Sequence, residues 1–364
     1  MSTPRIAGLT GLRRPRVLAA AGLLILGVLA IAWPQLVGSS ALFFWETTVI
    51  AVLFATSVNL LFGSGGIPSF GQAAFYGVGA YAVAEVASHS WPVPLALLLG
   101  VAVAGALAFV TSLITWRATG LAFAMLTLAI AQAIYTLVVQ VNWLGGYNGI
   151  PGVSAPALAG INFYSPANLW YLDVVCVAIG MLVFWRITHS PFGHTLNSIR
   201  EDPVRAAFLG VNIRAYRAVA FTIAGCGAGL AGGLFAYVNQ VVTPDSLYWT
   251  QSATPIIMLL LGGISYYWGP AVGAVLLSAL LNYLTQATTS YLLYIGLLLL
   301  AVLIVMPQGV LSLPTVVSDL RSRRRVARGP RSIATITGLV PIGSPPDTAV
   351  MPGEAEQAGS PHER

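Results

Sequence analysis

Lysine is absent from this chain, and charged residues of both signs are scarce. All 17 basic residues are arginine, and charged residues make up only 8% of the 364-residue sequence. Ordinary soluble domains carry about 25% charged residues, so this chain lacks the polar surface that a water-soluble globule needs. Without lysine, neither a P-loop nucleotide site nor a Schiff-base lysine is possible.

Cysteines and catalytic constellations are also scarce. The two cysteines, Cys176 and Cys226, lie in apolar runs and provide neither a disulfide framework nor a Cys-rich zinc site. No Ser/His/Asp order, polar carboxylate pair or His/Cys metal spacing occurs, so we expect no enzyme activity, metal site or cofactor in this chain. Glu46, Glu85 and Asp173 lie near the ends of apolar runs, and they do not form the midplane chain of carboxylates that a proton relay needs.

Long apolar runs dominate what is present. Hydrophobic residues make up 57% of the chain, and its mean hydropathy is +0.82. A helix needs about 20 mostly apolar residues to cross a hydrocarbon core of roughly 30 Å. We predict an all-α integral membrane protein with about ten transmembrane helices. The expected spans are 17–33, 41–62, 71–88, 94–115, 119–141, 169–187, 218–239, 251–266, 269–286 and 289–306.

Two parts of this assignment allow another interpretation. The stretch 251–286 holds two short spans joined by an apolar turn, and a broken or re-entrant element is the alternative there. The first span follows a basic leader, as a signal peptide does. We expect it to be retained, because its removal would spoil the parity of the spans.

Arginine positions set the expected topology. Clusters occur at 5–16, before the first span, and at 321–331, after the last. Basic residues are enriched on the cytoplasmic side, so both termini are expected in the cytoplasm and the number of spans is expected to be even. With ten spans, the arginines of the 188–217 loop also face the cytoplasm, and no arginine faces outward.

This topology divides the chain into three parts. We expect a basic cytoplasmic N-terminus at 1–16, a transmembrane domain at 17–306 and a cytoplasmic tail at 307–364. The tail is rich in Pro, Ser, Gly and Ala beyond about residue 329, a composition typical of disorder.

A glycine-rich segment interrupts the apolar pattern after the second span. Three glycines and one proline lie within 63–68, where each interior Gly costs a helix about 1 kcal/mol and Pro about 3 kcal/mol. The chain is therefore expected to break and restart as a helix. Broken helices in transporters expose backbone groups to a substrate; a tight turn followed by close packing on small residues is the alternative. The candidate pathway residues here are Ser69, Phe70, Gln72 and Tyr76.

A second turn, rich in Gly and Asn, follows the fifth span at 142–152. Asn148-Gly149 is a turn signal, and Asn148 is a further candidate pathway residue. A vestibule lining and a plain surface turn are equally compatible with this pattern.

A short helix is predicted within the 188–217 loop. Asp202 suits the N-cap, Pro203 the first helical position and Gly210 the residue past the end. An apolar stripe on such a helix favours a partner protein, and an interfacial helix lying on lipid is the alternative. The candidate coupling residues are Glu201, Asp202, Arg205, Ala206, Ala207, Phe208 and Gly210.

Glycines recur every four residues in the seventh span. Gly225, Gly229 and Gly233 leave one helical face nearly bare, which allows close approach of another helix. We predict a packing role for these glycines.

In order and spacing, these segments resemble the permease subunits of branched-chain (hydrophobic) amino-acid ABC importers, specifically the LivM-like member of the usual pair. The resemblance runs from about residue 50 to residue 312. It rests on Asn59–Gly63, Ser69–Phe75, Gly79–Tyr81, Gly120–Ala129, Gly145–Gly152, Arg200–Pro203, Leu261–Gly263 and Pro307–Gly309.

The resemblance implies an importer in which a separate ATPase subunit binds ATP and Mg²⁺ and docks on the 202–210 helix. It also implies a second homologous permease subunit, an extracytoplasmic solute-binding protein and a multi-pass location in the bacterial plasma membrane. The lipid bilayer is then the surrounding solvent, and no nucleic acid is expected to bind.

Two alternatives stay open on the sequence. Gln72 stands where the family commonly has histidine, and importers of urea and short-chain amides share this architecture. A secondary transporter driven by an ion gradient is a further alternative, which would need buried carboxylates near the midplane.

Overall fold

The computed structural model describes residues 33–35, 38–89, 91–156, 165–287, 290, 293–297, 300 and 309–312. Four sequence-based expectations lie wholly or mostly outside these residues. They are the basic N-terminus at 1–16, the first span at 17–33, the last span at 289–306 and the tail at 307–364.

Ten α-helices lie within the described residues, and six stretches are long and apolar enough to cross a membrane. The helices are α1 Ser39–Asn59, α2 Gln72–Ser88, α3 Val93–Thr115, α4 Gly120–Gln140, α5 Pro166–Thr188, α6 Pro191–Glu201, α7 Pro203–Phe208, α8 Ile213–Asn239, α9 Trp249–Gly262 and α10 Gly269–Ala287. The six stretches are Ala41–Ser64, which extends α1, and the helices α3, α4, α5, α8 and α10. The chain is a mostly helical, multi-pass membrane protein.

Two helices at predicted spans are shorter. Helix α2 has 17 residues and α9 has 14, which at ~1.5 Å per residue gives about 26 Å and 21 Å. Both fall below the ~30 Å of a hydrocarbon core. The span predicted at 251–266 therefore needs correction, because its helix ends at Gly262. The neighbouring Gly263 takes φ 113°, a conformation that is open to glycine and costly for other residues.

Helices α9 and α10 form a hairpin whose backbones touch. A Cβ atom on Gly262 would clash with the carbonyl of Gly269 at the start of α10. In the connecting turn, the Tyr267 hydroxyl donates a hydrogen bond to the carbonyl of Met181 in α5. Burial of this hydroxyl raises the pKa of Tyr267 above its usual value. The hairpin is thus fixed to α5 through its turn.

Helix α8 forms the centre of the described structure and packs against α1, α2 and α3. Gly225 and Gly229 of α8 lie against Ala108 and Ala104 of α3 so closely that a Cβ on either glycine would clash. On another side of α8, the backbone of Gly229 meets Gly79 of α2. Small residues on all three helices thus let their backbones approach closely, which stabilises packing in membranes.

One short β-ladder joins the ends of two helices. Strand β1, Ile150–Pro151, follows α4 and pairs antiparallel with β2, Val241–Val242, which follows α8. Its register places Ile150 opposite Val242. Gln240, with φ 57°, ends α8 and turns the chain into β2. The all-α prediction did not include this ladder, since two-residue strands leave no periodicity to read.

Candidate functional site

The segment after α1 breaks the helix as its glycines predict. Leu60–Ser64 continues α1 as a π-helical turn, and the chain then runs without regular structure to Gly71, from which α2 starts. The new helix is capped from elsewhere, because the hydroxyl of Ser252 in α9 accepts a hydrogen bond from the backbone N–H of Ala73 at 2.8 Å. We name residues 60–71 the break.

A cavity of about 150 Å³ lies between α1, α2, α8 and α9. Tyr76 of α2 forms part of its wall. The centroid of its ring lies 4.7 Å from the ring centroid of Phe54 in α1 and 5.7 Å from that of Phe235 in α8. The cavity is lined by Thr47, Ile50, Ala51, Phe54, Tyr76, Phe235, Gln251, Thr254, Pro255 and Met258. Its walls are aromatic and aliphatic, with hydroxyl and amide groups and no charged side chain.

The end of the cavity formed by α9 also offers a backbone acceptor. Pro255 lies inside α9 and has no N–H to donate, so the carbonyl of Gln251, four residues earlier, loses its helical partner. Both residues line the cavity. A ligand with N–H groups can therefore find an acceptor here.

The structure brings one of the five candidate pathway residues to this cavity. Tyr76 lines it, whereas Ser69 and Gln72 are buried, each 1% exposed, and do not line it. The backbone N–H of Phe70 donates to the hydroxyl of Thr127 in α4 at 3.3 Å.

Gln72 and Asn148 differ in their surroundings. Both side-chain amide atoms of Gln72 are buried and lack a hydrogen-bond partner among the described residues. Asn148 is exposed in the turn that precedes β1, and it does not line the cavity.

Sequence reasoning missed most of the cavity lining. Phe54, Phe235 and Thr254 look like ordinary span residues, and only the packing of four helices brings them together. Pro255 carried a usable signal, because a proline inside an apolar helical run frees a carbonyl group and often marks a functional position in membrane proteins.

The loop between α5 and α8 folds into two capped helices. Ser190 caps α6 by accepting from the N–H of Gly193, and Asp202 caps α7 by accepting from the N–H of Arg205 at 3.0 Å. Helix α7 ends at Phe208, and the N–H of Gly210 (φ 84°), just past the end, donates to the carbonyl of Ala207 at 3.0 Å. This is the Schellman arrangement, in which a left-handed glycine satisfies the last carbonyls of a helix.

Helix α7 presents an apolar face to its surroundings. Phe208 is 88% exposed and Val204 64% exposed, and with Pro203, Ala207 and Ile213 they line an open groove. Among the candidate coupling residues, Glu201, Arg205, Ala207 and Gly210 are exposed and Asp202 is partly exposed. Ala206 differs, since it is 4% exposed and packs inward.

Helix α6 connects this face to the break and to α8. The Arg200 guanidinium donates a hydrogen bond to the carbonyl of Gly63, and the aliphatic part of Arg200 lies against Gly66. Phe192 of α6 stacks on Tyr216 of α8, with ring centroids 5.3 Å apart. Helix α6, which directly precedes α7, therefore contacts two elements at once.

Two buried carboxyl groups lie at the same level of α1 and α5, which the sequence did not indicate. Glu46 precedes Leu53 by seven residues and Asp173 precedes Gly180 by seven, about two helical turns in each case. Because Leu53 packs on Gly180, the two carboxyl groups face the same interface. Glu46 is 4% exposed and Asp173 0%, and three of their four oxygens are buried without a hydrogen-bond partner in the part of the chain that the structure describes.

The described fold is that of a multi-pass membrane protein with a broken helix, an uncharged central cavity and an amphipathic helix exposed in a loop. A family described as "Branched-chain amino acid transport system / permease component" matches residues 18–307. The chain belongs to this family of ABC-importer permease components.

The chain is similar to permease proteins of several transport systems. It is similar to the high-affinity branched-chain amino acid transport system permease protein LivM of Escherichia coli, at 27% identity over 84% of this chain and 78% of the relative. It is also similar to the guanosine ABC transporter permease protein NupQ of Bacillus subtilis, at 27% identity over 35% of this chain and 39% of the relative.

A third relative extends the range of named substrates. The autoinducer 2 import system permease protein LsrC of Escherichia coli is 31% identical over 38% of this chain and 40% of the relative. No solved structure matches the chain.

Proposed function

We propose that the chain is a permease subunit of an ATP-driven importer for branched-chain and other hydrophobic amino acids. In this proposal it forms half of the translocation pathway, beside a second homologous permease subunit. A separate ATPase binds ATP and Mg²⁺ and hydrolyses ATP, and an extracytoplasmic binding protein delivers the substrate. The chain itself carries no catalytic residue.

The cavity lined by Tyr76 is the observation that supports the substrate assignment. Its aromatic and aliphatic side chains, among them Phe54, Tyr76 and Phe235, can bury a branched aliphatic side chain. Thr47, Thr254 and the Gln251 amide supply hydrogen bonds for the amino and carboxylate groups. An uncharged site suits a zwitterion, because no net charge is buried on binding and the polar groups can form hydrogen bonds with both of its ionic ends.

The exposed face of α7 supports the docking of the ATPase. Val204, Ala207 and Phe208 would fill a hydrophobic groove of the partner, as amphipathic helices do. Movement of α7 then reaches the break through Arg200 and reaches α8 through Phe192. Close-packed interfaces switch between discrete arrangements, and such a switch at the break and α8 would open the cavity alternately to either side.

The proposal includes a topology. We place both termini in the cytoplasm of a bacterium, with ten membrane segments in the plasma membrane. In this count the short helices α2 and α9 each contribute one segment, completed by the irregular chain next to them. Both arginine clusters and the loop that holds α6 and α7 then lie in the cytoplasm, in line with the positive-inside rule.

Uptake by the complete transporter in proteoliposomes tests the function. With ATP inside and all ion gradients collapsed by ionophores, we expect labelled leucine to accumulate and unlabelled isoleucine and valine to compete. Urea or a short-chain amide as the better competitor would assign the substrate to that class. Accumulation that needs an ion gradient and ignores ATP would overturn the importer proposal.

A pair of variants tests the cavity. Tyr76→Ala removes an aromatic wall and is expected to reduce leucine uptake at least tenfold at low substrate concentration. Tyr283→Ala is the matched control, because Tyr283 is 73% exposed in α10 and does not line the cavity. Equal uptake by the two variants would show that the cavity does not lie on the translocation pathway.

A further inference from the structure

A second cavity lies at the arginine-bearing end of the helices, away from the aromatic cavity. It has a volume of about 40 Å³ and lies where α3 ends, α4 begins and α8 begins. Trp116, Thr119 and Gly120 line it on one side and Arg214 and Arg217 on another. We name it the arginine pocket.

Two arginines, Arg214 and Arg217, line this pocket, and a third, Arg117, lies near the ring of its lining residue Trp116. The guanidinium carbons of Arg214 and Arg117 lie 5.1 Å and 5.3 Å from the centroid of the Trp116 ring. Arg217 is partly buried in the pocket wall, and its Nε–H has no hydrogen-bond partner among the described residues. Over the described part of the chain, the one ion pair joins Arg205 to Asp202, so no carboxylate neutralises these three arginines.

Uncompensated arginines around one cavity indicate an anionic ligand. A buried N–H without a partner costs about 1–3 kcal/mol, and like charges at close range repel each other. A phosphate group relieves both, because the guanidinium fork matches its oxygens. Helix α4 also begins here, and its N-cap, Thr119, makes no side-chain cap. Its first N–H groups are therefore free to bind an anion.

The surroundings of the pocket favour a phosphate that carries acyl chains. Next to the pocket-lining residues, α3 and α4 expose Leu113 (53%), Leu121 (76%) and Met125 (66%). Trp116 stands at the same end, and tryptophan prefers the membrane interface. Basic pockets between membrane helices bind the headgroups of anionic lipids.

We propose that the arginine pocket binds the phosphate of an anionic phospholipid, with the acyl chains lying along α3 and α4. The pocket is also lined by Gly66 and Ile67 of the break. A bound phosphate therefore joins the break to the start of α8, the two elements that α6 also contacts. This site is independent of the substrate and of the ATPase.

Lipid retention by the purified full-length chain tests the proposal. Native mass spectrometry in detergent is carried out with added phosphatidylglycerol, with phosphatidylcholine as the neutral-headgroup control. We expect phosphatidylglycerol to bind at least tenfold more strongly than phosphatidylcholine. The double variant R214Q/R217Q is expected to lose this difference, and R214K/R217K, which keeps both charges, is expected to retain part of it.

Arg186→Gln serves as the matched control, because Arg186 is exposed at the end of α5, outside the pocket. Size-exclusion chromatography of each variant verifies that it is folded and monodisperse. Unchanged phosphatidylglycerol retention by the folded R214Q/R217Q variant would overturn the site. Displacement of the lipid by millimolar inorganic phosphate would assign the pocket to a soluble phosphate compound and overturn the lipid assignment.

Discussion

The guanidinium of Arg200 in α6 donates a hydrogen bond to the backbone carbonyl of Gly63, 137 residues away at the end of α1. A hydrogen bond from a charged donor contributes about 1.5–3 kcal/mol, enough to make the two elements move together. It connects the loop that carries α7 to the segment that interrupts the membrane helix. Gly63 also contacts the turn between α9 and α10, because it packs against the carbonyl of Ile264.

Removing the Arg200 donor is expected to uncouple the two elements. Arg200→Met keeps an aliphatic chain against Gly66 and eliminates the hydrogen bond. We expect ATP-driven leucine uptake to fall about five- to tenfold, while the ATPase still co-purifies with the chain. Arg186→Met is the control and is expected to leave uptake unchanged. A wild-type uptake rate in Arg200→Met would show that this hydrogen bond carries no coupling.

A charge on the exposed face of α7 is expected to prevent docking of the ATPase. In Phe208→Asp, a carboxylate would have to be buried in an apolar interface without a partner, at a cost of several kcal/mol. Co-purification of the ATPase with the tagged chain should therefore be lost, with membrane insertion unchanged.

The neighbouring Leu209 offers a matched control for this variant. It is 79% exposed but does not line the groove, so Leu209→Asp is expected to keep the ATPase bound. Equal co-purification by the two variants would move the docking surface away from α7.

A larger side chain at Gly229 is expected to destabilise the packing of α8 on α3. Gly229→Val would insert two methyl groups against Ala104, and such overpacking costs about 1–3 kcal/mol. The midpoint of thermal unfolding in detergent should fall by several degrees. Gly296→Val is the control, because no described atom lies within 4 Å of where a Cβ would stand. An unchanged midpoint in Gly229→Val would mean that the helices separate without loss of stability.

Replacing the Asp173 carboxyl group with an amide is expected to stabilise the protein. The amide cannot ionise in this buried interface and offers Glu46 an N–H donor, for a gain of about 1 kcal/mol. The thermal midpoint of Asp173→Asn should rise by a few degrees, whereas Asp245→Asn, at an exposed position, should not change it.

The same variant distinguishes the two modes of energy supply. ATP-driven uptake should persist in Asp173→Asn, because the carboxyl pair lies outside the described lining of the cavity. Loss of uptake in a stable Asp173→Asn protein would place the pair on an ion pathway. That result would revive the secondary-transporter alternative.

The sequence predicted the local features best. Asp202, Pro203 and Gly210 define the two ends of α7 through contacts that span only a few residues, so their spacing suffices. The break at 60–71 follows in the same way from its glycines and proline. Features that depend on how distant helices pack together were missed. Glu46 and Asp173 face the same interface only because α1 packs against α5, and no local sequence pattern encodes that contact.

The burial of α2 depends on a segment that the ribosome makes much later. Twelve of its residues are buried, and much of that cover comes from α8, whose last residue follows the end of α2 by 151 positions. At ~5–20 residues per second, that interval lasts about 8–30 s. During synthesis α2 therefore waits in the membrane or the insertion machinery with its glycine face uncovered, and a chain that stops before α8 would leave it without its main packing partner.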